Sequence, residues 1–357
     1  MHHMNYARFR TLSLLLAPLA SLIFLGQGCL GSPTKLDGGL FITKDSGVNW
    51  IQLKTLNLGT RLGSVADLGT VTMTIDPQDP LAVYVGTTEN GLLTSLDGGD
   101  SWAPSKGLSI GRINALMIDP KDKCTIYAAR ANQIFKTTNC QRDWNQVFFD
   151  PRVDKSFTAL AIDWFNPNII YAGTSEGDLY RSDNKGAAWK VVHRVEAIKI
   201  NNMVVDPRDS RTLYVATNGA GVLKTSDGGT TWQNIVEPFR DLENARRPSA
   251  IIVDPNVKGR VYTISKYGVI KSEDGGNSWK PLTLPTPPGT IAIKALVIHP
   301  KNSQTLVYAT DTSIVFSTNG GGTWSAKKLP TVRGVAALLF RGGSDPALYL
   351  GAAPKAK

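Results

Sequence analysis

The chain has 357 residues, 42 per cent apolar and 19 per cent charged, with 34 Gly, 20 Pro and 3 Cys. That composition excludes a disordered chain, which is poor in apolar residues and dominated by one charge sign, and no Gly-X-Y period marks a collagen. The formal net charge of +10 permits acidic partners without proving one, and the length leaves open one large all-β domain or two smaller domains.

Residues 1–10 carry Arg8 and Arg10 and no acid, and residues 11–25 are an apolar run. A basic start before a short apolar core reads as a secretory signal, because a spanning helix needs ~20 residues. The stretch Leu25-Gly26-Gln27-Gly28-Cys29 resembles the end of a bacterial lipoprotein signal, with Gly26 where that pattern has Leu and Gln27 where it has a small residue. The resemblance implies a lipid on Cys29. It also implies an exported chain, in the periplasm or at the outer cell surface, anchored to the membrane by that lipid. Plain secretion or an uncleaved anchor stays open. Past Thr34 no apolar run approaches ~20 residues.

One octet then recurs: TKDSGVNW (43–50), SLDGGDSW (95–102), TTNCQRDW (137–144), SDNKGAAW (182–189), TSDGGTTW (225–232), SEDGGNSW (272–279) and STNGGGTW (317–324). A fixed period of this size marks a repeat architecture. The third positions are Asp45, Asp97, Asn139, Asn184, Asp227, Asp274 and Asn319. The last positions are Trp50, Trp102, Trp144, Trp189, Trp232, Trp279 and Trp324. Each position has a physical role. The Asp or Asn and the hydroxyl residues bond turn backbone groups, Gly accepts a positive φ, and Trp buries a large ring with one N–H to satisfy. The octet is similar to the Asp-box, or bacterial neuraminidase repeat, of β-propellers. Carbohydrate or Ca²⁺ binding through Asp and Trp is one reading of it. A folding clip on a hairpin suits seven equivalent copies better.

Between octets a second pattern repeats, as in TVTMTIDPQDPLAVYVGTTENGLLTS (70–95). Short β-branched runs ended by Asp-Pro, Gly or Asn read as strands, and Pro ends a ladder that cannot use its missing N–H. Each repeat supplies four strands, A to D, with A innermost and the octet joining C to D. Residues before the first repeat supply only C and D, and GVAALLF (334–340) with ALYLGAA (347–353) supply only A and B. The expected fold is an all-β, seven-bladed β-propeller of four-stranded antiparallel blades, closed by a blade shared between the two ends of the chain. Residues 1–28 are then the signal, 29–38 a linker, 39–352 the propeller and 353–357 a tail. The D–A connections are mostly short, but 145–156 and 235–249 read as long ones, where function tends to be inserted.

If Ala131 and Asn132 form a two-residue hairpin loop, Cys124 faces Asn139, next to Cys140. A Cys124–Cys140 disulfide is expected on that register and suits an exported chain; two separate thiols are the alternative. His193 and His299 lie in other repeats, so no zinc site is expected, and no other metal or cofactor.

Sialidases carry Asp-boxes together with a Phe-Arg-x-Pro motif. The Phe-Arg pairs here are Phe9-Arg10, Phe239-Arg240 followed by Asp-Leu, and Phe340-Arg341 followed by Gly-Gly. Endo-xyloglucanases share the Asp-Pro, VYVGT and octet style but face catalytic Asp residues across two propellers, and two-carboxylate hydrolysis needs groups ~5–10 Å apart astride the sugar. Over residues 39–352 the chain resembles exported single propellers, the sortilin-type ectodomain and the photosystem II assembly-factor propeller. The resemblance implies protein or peptide binding without catalysis. A carbohydrate-active propeller is the alternative.

In such propellers the D–A and B–C connections share one face. That rule places Arg61, Arg112, Arg152, Arg194, Arg240, Arg246, Arg247 and Arg333 on or near it, with Lys155 and Lys199. The expected ligand is an acidic segment of an envelope protein, held by Arg contacts to carboxylates. No aromatic-basic interleaving supports nucleic acid.

Overall fold

The computed structural model describes residues 37–343 and 346–355; the signal and Cys29 lie outside them. Thr70–Ile75, Val83–Thr87, Leu92–Ser95 and Ala103–Pro104 pair in that order as one antiparallel four-stranded sheet, blade 1. Five more such sheets follow, with inner strands Ala115–Asp119, Phe157–Ile162, Ile200–Asp206, Ala250–Val253 and Ala295–His299, and form blades 2 to 6. The seventh joins Val335–Arg341 and Ala347–Ala352 to Leu40–Thr43 and Ile51–Leu53. Its central register pairs Leu40 with Gly351 and Ile42 with Tyr349. The protein is a seven-bladed all-β propeller, and apart from the 3-10 turn Glu237–Phe239 the described residues hold no helix.

Two details depart from the sequence reading. Asn145–Phe149 is not connection but the outer strand of blade 2, because its residues pair with Gln133–Lys136. The connection from blade 7 to blade 1 carries a hairpin, Thr55–Asn57 with Leu62–Ser64, that the repeat pattern does not announce.

The core is the space between blades. Strand B is buried along its whole length in four blades, as in Val83–Thr87 and Ile170–Thr174, and exposed only at its start in the other three. Each of the seven apolar clusters draws on two successive blades: Tyr84 and Leu92 of blade 1, for example, meet Leu116, Ile118 and Ile126 of blade 2. A single blade leaves both faces bare, so the ring gains its stability as a unit.

The octets repeat one hydrogen-bond pattern seven times. The first hydroxyl donates to the oxygen of the third residue, as Thr225 Oγ1 does to Asp227 Oδ1 at 2.8 Å. It also accepts the N–H of the fifth residue, as from Gly229 at 2.8 Å. The third residue's oxygen then accepts the N–H of the seventh. Asn at position three preserves all three bonds, since only its carbonyl is used. In the divergent octet of blade 2, Asn139 Nδ2 donates to Asp143 Oδ2 at 3.0 Å. The usual hydroxyl donor at position seven and carboxylate acceptor at position three have exchanged roles. Gln141 there takes φ 67°, a conformation side chains resist, while its amide oxygen accepts from Thr94 of blade 1 at 2.9 Å.

A second contact, made at four of the seven octets, ties the octet to the blade before it. The strand B tyrosine donates its hydroxyl to the carbonyl of octet position four in the next blade. Tyr127 reaches Lys185, Tyr171 reaches Gly228 and Tyr214 reaches Gly275, each at 3.1 Å, and Tyr349 reaches Gly98 at 2.7 Å. A cation from the neighbouring strand C often joins it, with Lys136 on the Lys185 carbonyl at 3.0 Å and Arg181 on that of Gly228. Between blades 6 and 7 Lys327 alone takes the Ser46 carbonyl, at 2.8 Å. Cys124 and Cys140 are disulfide-bonded, on the register that pairs Ile126 with Thr137 and Arg130 with Gln133.

Tyr214→Phe removes one clasp without changing ring packing and should lower the unfolding free energy by ~1 kcal/mol, read from the urea midpoint. Replacing Cys124 and Cys140 together by Ser opens a closed loop of 16 residues, and should cost ~3 kcal/mol by chain entropy in the same assay.

Candidate ligand-binding face

Antiparallel order puts the A–B turns and octets at one end of the ring, and the B–C turns and D–A connections at the other. The arginines on the second end divide by what they touch. Arg152 lies in the connection from blade 2 to blade 3, with Nε on Asp150 Oδ1 at 2.7 Å and Nη2 on Asp150 Oδ2, Asp178 Oδ2 at 2.8 Å and the Tyr180 hydroxyl at 2.7 Å. Arg194 holds Asp178 Oδ1, and Lys155 stands 3.4 Å from Asp178 Oδ2. Arg333 holds Asp67 through both its side chain and its carbonyl and so ties the closing blade to the start of the ring. Arg240 pairs with Glu237 at 2.6 Å on the surface. Arg112 bonds Asn114 through Nε at 2.9 Å and borders a cavity of ≈ 670 Å³ with Asp67, Thr88, Glu89, Asn90 and Lys355.

Arg61, Arg246 and Arg247 are exposed, and no side-chain partner meets them among the described residues. The segment that carries the last two is well held. Phe239 is buried against Trp279, with ring centroids 5.4 Å apart, Ala245 is buried, and the Gly221 N–H bonds the Arg246 carbonyl at 3.0 Å. The two guanidinium groups are thus presented on a fixed backbone, which reduces the ordering cost of binding.

Asp150 and Asp178 are held ionised. The Arg152 side chain pulls Asp150 down to about 2. Burial pushes Asp178 upward, but bonds from Arg194 and Arg152 outweigh it and leave it below the usual carboxylate range. Burial and then the Asp150 charge push Tyr180 up to about 12. A glycosidic general acid needs the opposite, a carboxyl kept protonated near neutral pH. Burial does raise Asp76, but it lies in an A–B turn at the other end, accepting the Gln78 N–H at 2.8 Å. Among the described residues no cluster of His, Cys, Asp or Glu has the geometry to hold a metal.

Sequence reasoning missed Asp178, the centre of the ionic network. The signal was available: it stands four residues before the octet, where four of the other six blades have Gly39, Gly91, Gly221 and Gly268 and the remaining two have Gln133 and Ser313. Trp164, the one tryptophan outside the octets, stands part-exposed in the A–B turn of blade 3. It borders a cavity of ≈ 170 Å³ with Met117, Leu160 and Met203 of the inner strands.

A closed ring of seven blades with an octet in each defines a β-propeller of the Asp-box (BNR) class. Within that class the chain belongs to the family described as photosynthesis system II assembly factor YCF48, which residues 25–215 match, more than half of its length. A xyloglucanase of Paenibacillus sp is 26% identical over 232 residues, 62% of this chain and 21% of that protein. Vacuolar protein sorting/targeting protein 10 of Pyricularia oryzae is 29% identical over 103 residues, 26% of this chain and 7% of its own. The chain therefore spans 21% and 7% of these two curated relatives. Among solved structures, the GH74 xyloglucanase from Xanthomonas campestris superposes with a TM-score of 0.63 at 16% identity, over 80% of this chain and 51% of that one. YCF48 bound to D1 peptide gives 0.61 at 17%, over 81% of this chain and 94% of that one. At these identities the superpositions show the fold alone.

Because Asp150 binds protons less readily folded than unfolded, the unfolded chain takes up more protons between about pH 4 and pH 2, and stability falls as pH drops through that window. The urea midpoint should decline there, and more shallowly in Asp150→Asn.

Proposed function

We propose that this chain is a non-catalytic propeller that binds a protein segment and serves as an assembly scaffold at the cell envelope. In this reading residues 1–28 export it, a lipid on Cys29 holds it at the membrane, and the D–A face receives an acidic stretch of the partner. The observation that carries the reading is the pair Arg246 and Arg247, exposed on an anchored loop without a side-chain partner among the described residues, at the same end of the ring as Asp150 and Asp178, which are already paired with cations. Guanidinium groups free to make two-pronged bonds select carboxylates. Membership of the assembly-factor family supports the reading, as does a structural relative that is YCF48 bound to a D1 peptide.

Glycoside hydrolysis is the second reading, favoured by the similarity to xyloglucanases. Against it, the paired carboxylates Asp150 and Asp178 are both held ionised. Sustained release of reducing ends from xyloglucan by the purified chain would establish hydrolysis and remove the scaffold reading. For the scaffold, Arg246→Glu with Arg247→Glu should cut recovery of envelope proteins in a pull-down at moderate salt at least tenfold. Undiminished recovery would refute binding at this loop.

A further inference from the structure

Four D–A connections that follow one another around the ring each push one aliphatic side chain into solvent. They are Val332 between blades 6 and 7, Leu62 between blades 7 and 1, Ile110 between blades 1 and 2, and Val153 between blades 2 and 3. Their exposures are 87, 75, 72 and 86 per cent. They line none of the cavities described above. Each stands within two residues of an arginine: Arg333, Arg61, Arg112 and Arg152.

The other end of the ring also exposes apolar side chains, with acids next to them in sequence and with Lys121 on the Phe165 carbonyl at 2.6 Å. Leu81 lies two residues from Asp79, Leu96 follows directly with Asp97, and Trp164 and Phe165 adjoin Asp163. On the D–A end every one of the four tips has an arginine within two residues, with Asp154 beside Val153 and Asp37 on the Val332 N–H at 2.9 Å. On the D–A end two of the four cations are committed, Arg152 to Asp150 and Asp178, and Arg333 to Asp67. Asp154 adjoins Val153, and Lys155 lies 3.4 Å from Asp178. Arg61 has no side-chain partner among the described residues, and Arg112 has only Asn114.

We propose that this arc, over blades 6, 7, 1 and 2, docks on the surface of an anionic lipid bilayer. Single convex aliphatic tips suit an acyl boundary, which accepts them without shape complementarity. A protein partner would instead meet them with pockets. Such tips bury in the interface while arginines meet lipid phosphates, and the two effects add. The proposal is independent of Arg246 and Arg247, which lie beyond the arc between blades 4 and 5. A partner segment held there would lie beside the bilayer rather than compete with it.

The test uses the full chain with Cys29→Ser, so that no lipid is attached and, with Cys124 and Cys140 bonded, a single new cysteine takes an environment-sensitive fluorophore. Labels at Val332→Cys and Ile110→Cys should brighten and shift to the blue with phosphatidylglycerol-containing vesicles. A label at Leu96→Cys, on the octet end, should not. Arg61→Glu with Arg112→Glu should weaken vesicle partition roughly tenfold, as should high salt. Unchanged emission at 332 and 110, or an equal change at 96, overturns the proposal. A response at 332 and 110 to an added protein but not to vesicles also overturns it and assigns the arc to protein docking.

Discussion

Four of the seven blade junctions depend on one contact: the hydroxyl of a strand B tyrosine on the carbonyl at position four of the next blade's octet. The octet alone only shapes a turn. Its internal bonds use the hydroxyl, the Asp or Asn oxygen and two backbone N–H groups, which leaves that carbonyl pointing away. The tyrosine satisfies it while its ring fills the space between sheets, so a single side chain couples polar satisfaction to apolar packing. An unpaired carbonyl at a part-buried site is costly, and this makes each blade favour a neighbour in one orientation.

Closure extends the same logic to the ends of the chain. The last blade draws two strands from each end, and Tyr349 from the C-terminal half clasps Gly98 of blade 1 as Tyr127, Tyr171 and Tyr214 clasp their neighbours. The octet end is thereby held by bonds within and between blades. The D–A end is left with connections of unequal length, a hairpin at 55–64 and the segment 236–249, and there the charges are not fully paired. Where several cations meet two acids, as around Asp150 and Asp178, the network is rigid and the carboxylates stay ionised, a poor arrangement for proton transfer. Where cations lack acids, at Arg61, Arg246 and Arg247, they are available to something outside the chain.

The blades, their number and the shared seventh were legible because a repeat multiplies weak local signals. One octet is a turn, whereas seven at an even period, with half a blade left at each end, admit few architectures. The hydroxyl and Asp or Asn positions were legible for the same reason, since their bonds join residues two to four apart. Asp178 was not, because its partners Arg152 and Arg194 lie 26 and 16 residues away along the chain. The strand B tyrosines appeared as part of a strand pattern, yet the bonds of Tyr127, Tyr171, Tyr214 and Tyr349 span the gap between blades.

The sequence by itself determined what depends on neighbours in the chain: strand, turn and octet, and through their repetition the ring. Only the tertiary structure decided which arginines are spent and which are free. Arg152 and Arg246 look alike in a list of loop residues. Folding brings Asp178 to the first and no carboxylate to the second, and the Coulomb interaction that separates them falls off with distance in space, not along the chain.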